Sequence, residues 1–392
     1  MLGMEACTGN RRRDLRQFIQ LSCPSLDKTR TKFFHQSLWG ILNSGSLTVS
    51  NWLPWINDGC QELHYRQKRL LNQFKSKHWN SVKALQEHQH YWAKHIQIDT
   101  PIIIDLTDLP RPRGTKLPYI SLVRDGSEGK LHLGYWCIEI YAYFGQSRIT
   151  PLVLDPYSSD APEVYSENAQ ILAAVDAVMA ATEDRGVLVM DAGADRDKLL
   201  IPWIDDKRRF VIRLRGDRHL LLDNGSLVPA NHLAEQLLKN TSGHRRSWQR
   251  VYLPERPNHP LYLVVKSIPG KDRPLILLST LLVEDINTAR TVLSYYRQRW
   301  KCEEAARFLK TDLGIELFSL RLYESFPRLF LLAALAMSFL TWLALRYVNL
   351  RRWLCAKRPG QHKIKFLYYR LRAWLQHHFS PRPTARSPTR PL

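Results

Sequence analysis

Tyr296, Arg299, Glu303 and Lys310 follow one another at intervals of three, four and seven residues. On an α-helix, at about 100° per residue, they fall within an arc of about 60°. Arg307 joins the same arc. A lone carboxylate among cations is a poor way to solvate a helix. It is a good way to hold one metal ligand amid groups that grip phosphate, with guanidinium binding in bidentate fashion and ammonium acting as a point charge. The blander reading pairs Glu303 with Arg299 or Arg307 as a solvated i±4 contact.

Two aspartates supply the rest of a carboxylate set. Ile102-Ile103-Ile104 leads into Asp105, and Val187-Leu188-Val189-Met190 leads into Asp191. Each apolar run reads as a short buried strand ending in an acid. Carboxylates at the ends of neighbouring strands meet in space. With Glu303 they would suit one or two Mg²⁺ ions, with Mn²⁺ as a substitute. Two such ions about 4 Å apart assist in-line displacement at phosphorus. Singly, Asp105 and Asp191 also read as turn or cap residues. Asp108, Asp195 and Glu304 shadow the three candidates. Strand phase favours Asp191, and the spacing to Arg299 and Lys310 selects Glu303.

The elements that must position these groups fall into five stretches. Residues 1–98 read as helical and basic. A helix capped by Asp27 or Thr29 runs to about Leu42 and is stopped by Asn43-Ser44-Gly45-Ser46. A further start lies in residues 46–56, and longer helices follow at Gln61–Lys77 and Asn80–Ile96. This outline suits a DNA-end-binding helix-turn-helix unit or a plain helical cap. Residues 99–215 alternate strands and helices, the mark of a mixed α/β sheet with helical cover. Residues 216–283 carry short strands between Pro, Gly and Asn turns and read as a β-rich insertion. Residues 284–345 return to the core with the Glu303 helix, over about Asp285–Thr311, whose core stripe is Cys302, Ala306, Leu309 and Leu313. Residues 346–392 form a basic, aromatic tail whose Pro/Ser/Arg-rich end reads as disordered.

Composition narrows the partner. The 392 residues carry 57 Lys+Arg against 36 Asp+Glu, a net charge of +21. With 12 Trp, 16 Tyr and 13 Phe mixed among the cations, the expected polyanion is nucleic acid before membrane lipid. The six cysteines form no Cys-x-x-Cys pair, which argues against a zinc ribbon and for a reducing cytoplasm. No secretory leader is evident. Leu329–Leu345 is apolar enough to reach the lower limit of a membrane span. It reads as a core helix, because no other segment resembles a span.

Asp105-x-Thr107, the apolar strand into Asp191-x-Gly193, and Tyr296-x2-Arg299-x3-Glu303-x6-Lys310 resemble the signature of DDE transposases of bacterial insertion sequences, in particular the insertion-sequence-four family. Arg299-Trp300 and Leu313-Gly314-Ile315-Glu316 share the likeness, which covers about residues 100–345. The resemblance implies an RNase H-like core with Asp105, Asp191 and Glu303 as its metal-binding triad. It implies that Tyr296, Arg299 and Lys310 contact phosphates of double-stranded DNA at the element's ends. Arg307 is added from the helical arc alone. Also implied are nicking, joining of 3′-hydroxyl ends to target DNA, a homodimer bridging two ends, and residence in the bacterial cytoplasm with the nucleoid. One departure is Ala192, where family members often carry arginine. A decayed, non-catalytic DNA-binding protein and a simple metal-dependent nuclease are the alternatives.

Overall fold

The computed structural model describes residues 11–56, 59, 62–124, 129–146, 148–240, 245–356 and 366–379. Four helices open the described residues: α1 (Arg11–Ser22), α2 (Lys28–Ser44), α3 (Leu63–Lys75) and α4 (Ser81–Ala93). Asp27 caps α2 by accepting the Arg30 amide, and Gly45 ends it in the left-handed region at φ 66°. Any side chain at Gly45 would also press on the Asp312 carbonyl. The second helix expected in residues 46–56 is a 3₁₀ stretch, Val49–Trp55, with Pro54 inside it. Pro54 lacks the amide that α-helical bonding needs. Helix α1 lies in the stretch read as helical, although the sequence marked no start for it.

The sheet follows. Its strands are β1 (Pro101–Pro110), β2 (Ser121–Arg124), β3 (Leu131–Tyr143) and β4 (Ile149–Tyr157), then, after α5 (Glu167–Thr182), β5 (Val187–Met190). Next come α6 (Asp197–Asp205), β6 (Phe210–Arg213), β7 (His219–Leu221), β8 (Leu227–Pro229), α7 (Ala230–Lys239), β9 (Arg246–Leu253), β10 (Arg256–Lys266) and β11 (Leu275–Ser279). The strand order is β2-β3-β1-β5-β6-β11-β10-β9-β7-β8. The long β3 takes two partners on its outer side, β2 along residues 131–134 and β4 along residues 136–143. β1 runs antiparallel to β3 and parallel to β5, and β5 runs parallel to β6, so the sheet is mixed. Residues 216–283 are more than short strands. They include α7, and β11 pairs with β6, so they extend the central sheet.

Four helices complete the described residues: α8 (Ile286–Asp312), α9 (Phe326–Arg346), α10 (Val348–Cys355) and α11 (Leu367–Phe379). Asp285 begins α8 with a capping box to Thr288. The apolar α9 is a core helix: 89% of its most hydrophobic window is buried inside the fold, against β4 and α2. Its polar residues are satisfied there. Ser338 pairs with Thr150 at 2.7 Å, and Thr341 donates to the Ile149 carbonyl at 2.9 Å. The tail also packs. Tyr368 of α11 is fully buried and donates to the Ile149 carbonyl at 2.6 Å. The Pro/Ser/Arg-rich end after Ser380 lies outside the described residues.

Candidate active site

The parallel ladder between β1 and β5 builds the site. Pro101 stands opposite Val187, Ile102 opposite Leu188 and Ile103 opposite Val189. Carried two residues further, the same register sets Asp105 beside Asp191. The antiparallel ladder on the other side of β1 sets Asp105 opposite Glu139 of β3. Asp105 therefore lies in mid-strand. The expectation that its strand ends there is corrected, because pairing with the long β3 carries β1 on to Pro110. Asp191 does follow directly on the end of β5. Its side chain caps a 3₁₀ turn, accepting the Gly193 amide at 2.7 Å.

Helix α8 crosses above this pair. Cys302 donates its thiol proton to Asp105 Oδ2 at 3.1 Å. Arg299 sits one turn earlier, with Nη1 at 3.8 Å from the same oxygen. Its other terminal nitrogen, Nη2, holds Glu303 Oε1 at 2.7 Å. One guanidinium thus joins two of the candidate carboxylates. Burial raises the Asp105 carboxyl, against the Cys302 hydrogen bond and the Arg299 charge, and the Asp191 charge adds to the rise. Burial alone would lower Arg299, but Cys302, Asp105, Tyr296 and Asp191 outweigh it and drive the guanidinium upward.

The five helical candidates do not share one exposed face. Tyr296 and Arg299 are buried, at 7% and 9% exposure, while Glu303 and Lys310 are half-buried and Arg307 is exposed. Tyr296 lies beneath the Arg299 guanidinium, 5.9 Å from ring centre to carbon. Lys310 reaches Glu316 at 2.8 Å and Asp108 at 3.8 Å. The buried stripe of α8 runs through Cys302, Ala305, Phe308 and Leu309, with Leu313 buried just beyond it; Ala306 is only half-buried. That rotation turns Arg299 inward. Among the shadow residues, Asp195 is consumed elsewhere: it accepts the Arg215 amide at 2.8 Å and pairs with Arg218. Glu304 pairs with Lys301 at 2.9 Å.

The oxygen donors suit a hard divalent cation such as Mg²⁺ or Mn²⁺. As arranged, no group of three His, Cys, Asp or Glu side chains among the described residues could hold one. Asp105 and Asp191 are ready side by side, while Glu303 is engaged by Arg299. In donor chemistry, three carboxylates, the set fits such an ion; in its present arrangement it does not, because Arg299 holds Glu303.

Two participants escaped the sequence. Cys302 reads there only as a core residue, yet its thiol is the nearest hydrogen-bond partner of Asp105 among side chains. Glu139 lies inside an apolar run, fully buried, accepting from the Tyr141 hydroxyl at 2.7 Å. Burial pushes its carboxyl up to about 8. The signal for Glu139 was a lone acid among β-branched and aromatic residues. Nothing in the local sequence marked Cys302.

Residues 160–339 match the family model of the transposase DDE domain. The matched stretch contains Asp191 and the Tyr296, Arg299, Glu303 and Lys310 series, and it begins after Asp105. No curated protein matches the chain in sequence. Among solved structures, the chain is similar to the piggyBac transposase synaptic complex with hairpin DNA, seen by cryo-electron microscopy. The TM-score is 0.47 and the identity 12%, over 95% of this chain and 80% of that one.

Proposed function

We propose that this chain is a DDE transposase of the insertion-sequence-four kind, a metal-dependent polynucleotidyl transferase on an RNase H-like core. It binds the inverted repeats that end its own mobile element, nicks them, and joins the freed 3′-hydroxyl to target DNA. The observation that carries this reading is the parallel β1–β5 ladder, Ile103 opposite Val189, whose register carried two residues on puts Asp105 beside Asp191, beneath a helix that bears Glu303. The match of residues 160–339 to the transposase DDE domain supports it independently.

Asp105, Asp191 and Glu303 would hold Mg²⁺ or Mn²⁺. When bound, the ions offset the charge that gathers on the phosphate and on its entering and leaving oxygens. The rest is done by the chain. Arg299 takes the phosphate in bidentate fashion and so releases Glu303. Lys310 adds a point charge, Arg307 lies at the exposed edge, and Tyr296 backs the guanidinium. Two copies bridge the two ends.

The test is to find inverted repeats flanking the gene and to measure their cleavage. Asp105→Asn, Asp191→Asn and Glu303→Gln should each abolish nicking and leave end binding nearly intact. Full cleavage by all three variants would overturn the assignment. Nicking by the native chain without joining of pre-cleaved ends would reduce it to a nuclease.

A further inference from the structure

A cavity of about 660 Å³ lies between the β-rich strands and α8. Eight of its fifteen lining residues are Lys or Arg, and none is Asp or Glu. From the sheet come Arg213, Arg246, Lys266, Lys271 and Arg273. From α8 come Arg290, Arg297 and Arg299, with Tyr296 beside the last. The cavity therefore opens onto the guanidinium that holds Glu303.

The ladders explain how the cations gather. Lys266 of β10 stands directly opposite Arg246 of β9. It stands equally opposite Leu275 of β11, and Leu277 of that strand faces Arg213 of β6. Strand alternation puts Arg213, Lys266 and Arg246 on one face of four neighbouring strands. Like charges set directly opposite destabilise a sheet. Nearby arginines of the same segment are neutralised, Arg250 by Asp223 and Arg256 by Asp205. Arg213, Arg246, Lys266, Lys271, Arg273 and Arg297 make no ion pair among the described residues. A concave wall of one sign raises the local concentration of a polyanion.

At about 660 Å³ the space is too small to enclose a duplex. It admits one strand. We infer that this cavity holds the sugar-phosphate backbone of a single DNA strand, fed from the duplex at Arg299. The inference rests on the transposase reading and deepens it, because it makes the β-rich segment the holder of an unpaired strand. The contacts are to phosphate and carry no base preference.

The probe is a fluorescent oligothymidylate of about 12 nucleotides, titrated with the full chain across a series of salt concentrations. The variant Arg246→Ala/Lys266→Ala/Arg273→Ala removes three cations from exposed or half-buried positions. It should flatten the logarithmic salt dependence by about 2, at roughly 0.7 per phosphate contact on a single strand. Arg246→Lys/Arg273→Lys keeps the charge and should keep the slope. Affinity for a blunt mixed-sequence duplex should change far less. An unchanged slope on the oligothymidylate overturns the inference, as does an equal loss on the duplex. If the native chain cuts no element ends while the triple variant still loses the slope, the cavity stands and the transposase reading falls. If cleavage is intact and the slope unmoved, the reverse holds.

Discussion

Arg299 holds Glu303 at 2.7 Å with one nitrogen while the other stands 3.8 Å from Asp105. The guanidinium occupies the electrostatic position between two carboxylates that a divalent cation would share. A cation there competes with metal. Removing it by Arg299→Ala should tighten Mn²⁺ binding to the metal-free protein by up to about fivefold, given the small worth of a partly exposed ion pair. The same variant should weaken binding of element-end DNA. Calorimetric titration of Mn²⁺ without DNA reads the first effect. Weaker Mn²⁺ binding would show that Arg299 organises the ligands instead of opposing the ion.

Cys302 donates a hydrogen bond to Asp105 through its thiol. Serine keeps a donor at that point and alanine does not. Cys302→Ala should lower the cleavage rate more than Cys302→Ser, and should cost about 1–2 kcal/mol of stability through the lost bond and the space left. Cleavage time courses beside urea midpoints separate the two effects. Equal rates in both variants would leave the thiol with a packing role alone.

Glu139 supplies a pH dependence. Its folded carboxyl is raised from an ordinary 4.5 to about 8, chiefly by burial. The folded state thus binds its proton more tightly than the unfolded chain. Stability from this group is full below about 4.5, declines as pH rises, and is gone above about 8. The decline is up to about 1.4 kcal/mol per pH unit. Urea midpoints in EDTA at pH 6 and pH 9 should fall for the native chain and fall much less for Glu139→Gln. Parallel declines would mean that the carboxyl is compensated by charge nearby.

Tyr368 ties the C-terminal helix to the sheet. Its hydroxyl donates to the Ile149 carbonyl, accepts the Ile149 amide at 2.8 Å, and meets Thr341 at 2.7 Å. Tyr368→Phe leaves the Ile149 amide unpaired in the core. The expected cost is about 1–3 kcal/mol. Thermal or urea unfolding measures it, and a change within error would mean that α11 is not part of the cooperative unit.

Local pattern carried much of this architecture. Val187–Met190 is four apolar residues closed by an acid, and it is β5 followed by Asp191. Leu131–Tyr143 is legible as β3 to the residue, because aromatic and β-branched side chains fill it. Asp27 and Asn80 mark helix starts, since their side chains take the first free amides. What stayed hidden depends on partners distant in sequence. The end of β1 is set by β3, and the tail helices by α9 and β4. The inward turn of Arg299 follows from burying Ala305 and Phe308 in place of Ala306. The cation wall forms only when four strands align, and no linear spacing announces it.

The ladder that joins Asp105 to Asp191 has a further consequence for how the chain can change. Some eighty positions separate the two acids, yet their meeting depends on a few paired residues of β1 and β5. Lengthening the connection between β4 and α5 would leave that meeting untouched. Deleting one residue from Val187–Met190 would swing the acid to the opposite side of the sheet, since side chains alternate there. Tolerance to insertion and sensitivity to slippage therefore lie at the two ends of one helix, α5.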